Sequence, residues 1–457
     1  MGEMLHHAFG SYTTPGHKME QYLAFSKTFA EFEEDFAKAQ DSARDMNYFD
    51  GVKLIQHHYG DNWPKNRVIQ KIIGNGSVNV AVLFTDADTG ENGVAPVNPN
   101  EKNNATPFAG SNTFPADPTS VEGDDQVVQM PIPAAHVQSD YDFYRLERTI
   151  SCFLENPKMK AEYGFMDGLL KVLKESVSLE FDRAAAFKMQ KDVYPFYKRK
   201  VGKWNISAVP AYHLEGDAIV MGLAGGKTAR KTLQRDEAVY KEAMTALGSL
   251  ETDALTGIGP NGNILPQASH ANADFHDGQV LIDTEKDNVW ILDFAQCVPI
   301  TPEETKYALS IATIIGGVPD VKSMLDSGNV VGKSAEILSG LTDLDIPAKD
   351  LEPILEGENE MDKFIKLVGY LANRGKPMPL SVVHWIQMLN RRRALGDKID
   401  ENFMLQAKMM GASHLLTGGV GTYNAVRQGI KTAKNVWGSL VGGVGAVLGT
   451  PEASGHN

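Results

Sequence analysis

HANADFHDGQVLIDTEKDNVWILDFAQ, residues 270–296, is the stretch that decides how the rest of the chain is read. Asp274 is followed five residues later by Gln279. VLID at 280–283 and VWILDF at 289–294 alternate as short strands, and the polar TEKDN between them supplies a turn. The apolar residues Val289, Trp290, Ile291 and Leu292 predict a buried second strand that holds Asp293 at its end. A hairpin of this kind presents Asp274, Gln279 and Asp293 at one rim. Two carboxylates and an amide oxygen are hard ligands, the kind that magnesium takes while keeping several waters. The competing reading makes both acids turn or capping residues; the agreement of spacing, hairpin and Asp-Phe ending favours the metal. His270 and His276 flank Asp274. Zinc is not supported, since there is no helical HExxH and no obvious third ligand. His276 is expected to order the loop by hydrogen bonding.

Outward from this stretch, the N-terminal side changes character several times. Residues 20–60 are helical in pattern: Leu23, Phe25, Phe29, Phe32 and Phe36 recur near helical spacing, and FDGVKLIQHHYG forms a second amphipathic stretch. DNWP at 61–64 breaks it. From Val68, alternating Val78, Val80 and Val82 predict two strands, with turn chemistry at Asp88–Gly90. Residues 98–135, rich in Asn, Pro, Gly and Asp, predict a long loop. Helices are expected over Tyr141–Asn156 and about 165–194, then strands around Ile206–Tyr212 and Asp217–Met221. Ile219–Leu223 is read as a hinge, and helices dominate beyond it. The fold class is therefore α+β, with a helical extension (1–65), a small β-rich part (66–221), a mainly helical part (222–435) and a tail (436–457). A parallel-sheet enzyme would alternate strand and helix throughout.

The bulk properties of the 457 residues fit an ordinary globular chain, with 42% hydrophobic and 22% charged residues. A net charge of −14 argues against a nucleic-acid partner, which would need clustered cations. Two isolated cysteines, Cys152 and Cys297, exclude a disulfide scaffold and are expected as packed, reduced thiols of a cytoplasmic protein. No signal peptide or membrane span is legible. The tail Val436–Gly449 is apolar but short and Gly-rich. It is read as a frayed or docked terminus, with contact to a lipid or membrane surface as the alternative.

Asp274 with Gln279 matches the Asp-x-x-x-x-Asn catalytic loop of protein kinases, and Asp293-Phe294-Ala295 matches their Asp-Phe-Gly metal element. More specifically, DFHDGQVLID with ILDF resembles the UbiB family of atypical kinases, the coenzyme-Q-associated group. The Asp, second His, Gly and Asn of that family's loop fall on Asp274, His276, Gly278 and Gln279. Glu180-Phe181-Asp182 matches its Glu-x-Asp signature, and Lys18-Met19-Glu20-Gln21 its Lys-x-Gly-Gln signature. Gly74-Asn75-Gly76-Ser77 resembles its phosphate-covering loop. The resemblance implies a two-lobed protein-kinase-like fold binding ATP and Mg2+. It makes Asp274 and His276 the catalytic-loop residues and Gln279 and Asp293 the metal ligands. Gly74, Gly76, Ser77, Lys18, Gln21, Glu180, Asp182 and Met221 would then line the nucleotide. It also implies a role in quinone or prenyl-lipid metabolism.

Two departures stand out. The strand that should carry a phosphate-binding Lys is matched to Gly93-Val94-Ala95-Pro96-Val97, and that Lys's partner Glu falls on Ala186. The metal half of the site is complete, whereas the lysine half is lost or rebuilt. Three functions stay open on this reading: a magnesium-dependent atypical kinase or ATPase, a pseudokinase that binds or scaffolds with little turnover, and a small-molecule phosphotransferase. Gly226-Lys227-Thr228 imitates the end of a P-loop, but Met221 stands where that motif needs Gly.

Overall fold

A computed structural model describes residues 48–64, 67–75, 79–86, 125–256, 270–274, 276–315, 330–356 and 360–399. The architecture is α+β. Helix α1 (Tyr48–Tyr59) leads into strands β1 (Arg67–Asn75), β2 (Asn79–Asp86) and β3 (Asp125–Pro131). Helices α2 (Ala135–Leu154), α3 (Pro157–Tyr163), α4 (Phe165–Phe181) and α5 (Arg183–Tyr197) follow. Strands β4 (Arg199–Val201), β5 (Trp204–Ala208), β6 (Ala211–Glu215), β7 (Ala218–Gly222) and β8 (Lys227–Thr228) come next. After α6 (Ala229–Arg235) and α7 (Glu237–Thr256) lie β9 (His270–Asn272), β10 (Val280–Asp283), β11 (Asn288–Ile291) and β12 (Cys297–Pro299). Helices α8 (Pro302–Ile315), α9 (Val330–Thr342), α10 (Ala348–Leu355), α11 (Glu360–Asn373) and α12 (Leu380–Ile399) complete the described chain.

The first sheet is antiparallel, in the order β1-β2-β3-β7-β6. Its strands alternate cleanly. Val80, Val82, Phe84, Val128, Met130 and Val220 pack together on one face with Leu54 and Ile55 of α1. Leu83, Val127, Ile219 and Met221 pack on the other with Ala186 of α5 and Trp290 of β11. Period-2 alternation makes this two-sided burial possible. Burial of each Val or Ile contributes about 1.5–3 kcal/mol.

The second sheet runs β4-β5-β11-β10-β8. β11 pairs antiparallel with β10, from Val280↔Ile291 to Asp283↔Asn288, and parallel with β5, from Asn288↔Asn205 to Ile291↔Ala208. All four residues of β11 are buried, as its apolar run predicts. The hairpin is thus the centre of a five-stranded sheet rather than a lone pair of strands.

Several expectations change. Residues 125–131 are a central strand, although the composition of 98–135 reads as loop; β2 and β7 pair with both edges of this segment and satisfy its backbone. β1 ends at Asn75 and β2 begins at Asn79, so two strands already lie before Asp88–Gly90, the expected turn, which is outside the described residues. The expected helix at 165–194 is two helices, broken at Asp182, whose side chain accepts from Ala185 N–H at 2.9 Å. Ile219–Gly222 is paired strand, so the chain leaves the sheet only at Leu223. Cys152 is exposed, whereas Cys297 is buried. The N-terminal segment with Lys18 and Gln21, Gly76 and Ser77, the 93–97 stretch and the 436–457 tail lie outside the described residues. Among the described residues, no helix is long and apolar enough to cross a membrane.

Candidate functional site

Two sets of strand pairs bring Asp274 and Asp293 together. β9, which leads into Asp274, pairs antiparallel with β12, which follows Asp293: Cys297↔Asn272, Val298↔Ala271, Pro299↔His270. β10 and β11 join the other ends, and the Leu292 N–H donates to the Gln279 carbonyl at 2.9 Å. Ala273 and Gln279 are therefore pinned to Gln296 and Leu292, with Ala273 N–H donating to the Gln296 carbonyl at 3.2 Å. Phe294 anchors the second segment: it is buried, with its ring centroid 5.6 Å from that of Tyr197.

Asn272 ties the two acids. Its Nδ2 donates to the Asp293 carbonyl at 3.0 Å, and its Oδ1 accepts from the Asp274 N–H at 3.0 Å. The sequence reading passed over Asn272, although an Asn two residues before an Asp is a familiar signal of a side-chain turn.

Gln279 is buried, and its Nε2 donates to Asp274 Oδ2 at 2.9 Å. A carboxylate can only accept, so the amide oxygen must face the other way. Among the described residues that Oε1 is buried without a hydrogen-bond partner. A buried carbonyl oxygen in this state costs about 1–3 kcal/mol unless something binds it. The Asp293 carboxylate accepts from its own turn, from Ala295 N–H at 2.8 Å, through Oδ1. One carboxylate and one amide oxygen suit magnesium, which commonly takes one or two protein carboxylates with phosphate and water. Among the described residues there is no cluster of three His, Cys, Asp or Glu side chains that could hold a metal ion.

Asp274 also faces a cation from α12: Arg391 Nη1 lies 3.6 Å from its Oδ1. His276 orders the loop as expected, its Nδ1 accepting from the Gly278 N–H at 3.0 Å. His270 is buried against α5, with its Nε2 2.7 Å from Tyr197 Oη.

The remaining expected residues divide. Glu180 is buried at the end of α4, where its carboxylate accepts from Gln296 Nε2. That bond ties α4 to the segment after Asp293. Asp182 is an exposed N-cap. Met221 is buried in β7 opposite Val127. Gly74 lies in β1 opposite Ala81. Ala186 packs with Val127, Met221 and Trp290, so no acid stands there.

One residue of this region gave no signal in the sequence reading. Arg183, the first residue of α5, is 3% exposed. Its Nη2 donates to Gln129 Oε1 at 2.6 Å and its Nε to the Asp217 carbonyl at 3.3 Å. Burial pushes its pKa down; the charge of Asp293, and then that of Asp217, opposes the shift.

No protein-family model matches the chain, and no curated protein matches it. Among solved structures, that of Rv3197 with erythromycin, from Mycobacterium tuberculosis, aligns over 84% of this chain and 91% of that one. Its identity is 12% and its TM-score 0.38, a likeness that carries no argument about fold or function.

Proposed function

We propose that this chain is a two-lobed, protein-kinase-like protein that binds ATP with magnesium at Gln279 and Asp293, as a divergent atypical kinase or ATPase of the UbiB type. The observation that carries the reading is the Gln279 amide. It is turned by Asp274 so that, among the described residues, a buried oxygen is left without a partner beside the segment that bears Asp293. An amide oxygen five residues after an acid, with a second acid at the far end of a hairpin, is the ligand pattern that kinase metal sites use. The small antiparallel sheet, with α5 against one face and the hairpin's Trp290 against the same face, supports the two-lobed arrangement.

When bound, the metal would offset charge on the nucleotide's phosphates. The chain's own residues have separate tasks. Asn272 holds the two acid-bearing segments in register. Gln279 and Arg391 orient the Asp274 carboxylate, which is the group positioned to accept a proton from an attacking hydroxyl or water. Quinone or prenyl-lipid chemistry, and contact with a lipid surface, come from the family resemblance alone.

A thermal-shift titration tests the binding. ATP with magnesium should raise the melting temperature of the wild type, because a ligand that binds only the native state stabilises it. Asp293→Asn should remove most of that shift. No shift at millimolar nucleotide sinks the proposal.

A second reading, a pseudokinase that binds nucleotide with little turnover, is favoured by one observation. The third strand among the described residues, β3, with the sequence DQVVQMP, carries no Lys, although kinases place their phosphate-binding Lys on the third strand; the 93–97 stretch that the resemblance matches to it lies outside the described residues. ATP hydrolysis by the wild type and by Asp274→Asn separates the two: a lower rate in the variant supports the enzyme, and equal rates support the pseudokinase.

A further inference from the structure

The loss of the strand lysine leaves a kinase-like site short of a cation, and the structure holds one nearby that the sequence did not announce. Gln129 lies on the β3 face that also carries Val127, the face packed against Ala186 and Trp290. It is Gln129 that receives Arg183 Nη2. The guanidinium thus bridges β3, the turn before β7 and the start of α5.

Its environment is unusual for a buried arginine. Its acceptors, the side-chain oxygen and main-chain carbonyl of Gln129 and the main-chain carbonyl of Asp217, are all neutral. Among the described residues its Nη1 is buried with no hydrogen-bond partner. A buried charge without a close counter-charge is costly. Arg183 persists in this state although its neighbours on the same face are apolar, and the carboxylate whose charge acts on it most strongly is Asp293.

We infer that Arg183 is the phosphate-binding cation of the site: its free Nη1 takes a phosphate oxygen of the nucleotide whose metal Asp293 holds, and Gln129 aims it from the strand that lacks a lysine. This rests on the nucleotide-site reading above. Arginine suits the task because its planar fork can hold Gln129 with one edge and leave another N–H group for an anion. The ligand class is a nucleoside di- or triphosphate, since a nucleoside offers Arg183 no anion.

Isothermal titration of the full chain with Mg–ATP, Mg–ADP and adenosine tests this in four proteins: wild type, Arg183→Met, Arg183→Lys and Gln129→Glu. Arg183→Met should weaken Mg–ATP binding about 10- to 100-fold, as expected for a lost charged hydrogen bond, and leave adenosine binding unchanged. Gln129→Glu keeps Arg183 in place but ties it in an ion pair. It should weaken Mg–ATP in the same selective way, and so covers the case in which Arg183→Met does not fold. Arg183→Lys should retain part of the affinity. If the wild type binds Mg–ATP but the folded variants lose no more affinity for it than for adenosine, Arg183 is only a structural bridge and the inference is overturned. If the wild type binds no Mg–ATP at all, the nucleotide reading itself falls, and this inference with it.

Discussion

Asn272 donates to the main-chain carbonyl of Asp293 at 3.0 Å, so the residue that begins the Asp274 turn also holds the turn of the second acid. The same side chain accepts from Asp274 N–H, and it is buried. Neither acid's position is independent of the other. A change at Asn272 should reach both.

Asn272→Ala removes both bonds and leaves the Asp293 carbonyl and the Asp274 N–H without this partner. The expected cost is about 1–3 kcal/mol in urea unfolding. The magnesium-dependent part of nucleotide binding should weaken as well. A variant with wild-type stability and wild-type Mg–ATP affinity would show that the bridge is not needed.

Gln279→Leu should separate stability from binding. It loses the bond to Asp274 but also removes a buried oxygen that has no partner in the described residues. These effects oppose each other, and the stability change should stay within about 1 kcal/mol. The magnesium-dependent thermal shift should nevertheless be lost. Retention of a full shift would remove Gln279 from the metal site.

Glu251 predicts a pH dependence. It is fully buried in α7, 3.8 Å from Arg392 Nε of α12, and neither of its oxygens has a hydrogen bond among the described residues. Burial, only partly opposed by Arg392, pushes its pKa up to about 8 from an ordinary 4.5. The folded state therefore holds a proton that the unfolded state releases between these values. Its contribution is fully present below about pH 4.5 and is lost as pH rises through about 8. Denaturant midpoints should fall from pH 5 to pH 8 more steeply for the wild type than for Glu251→Gln. Identical slopes would refute the assignment.

Gly168 marks the crossing of α4 and α11. A Cβ there would lie 2.6 Å from the Gly369 carbonyl oxygen and 2.8 Å from its Cα, so backbone would have to move. Gly168→Ala should cost about 1–3 kcal/mol, the range for overpacking a tight core contact. Differential scanning calorimetry would record it as a lower melting temperature, and an unchanged value would mean that the helices separate freely.

The hairpin was legible because its signals are local. Alternation, a polar turn and an apolar run before Asp293 each act within a few residues, and β10 and β11 form where these signals put them. α1 and α2 were legible through helical spacing for the same reason. β3 was not. Its residues DQVVQMP follow a polar, Pro-rich segment, and they become strand because β2 and β7 offer pairing on both sides. The break at Asp182 was hidden too, since an N-cap inside a continuous helical pattern differs from an exposed acid only once the backbone turns.

The sequence by itself singled out the residues of the proposed site, because Asp274, Gln279 and Asp293 are a chemical set at set spacing around a hairpin. Only the tertiary structure decided how they are held and what stands near them. Asn272 joins the acids across 21 residues of chain, Arg391 reaches Asp274 from α12, and Arg183 meets Gln129 from 54 residues away. Spacing along the chain carries no information about such contacts. They arise because apolar burial brings distant segments together, and each buried polar group must then find its partner wherever packing has left one.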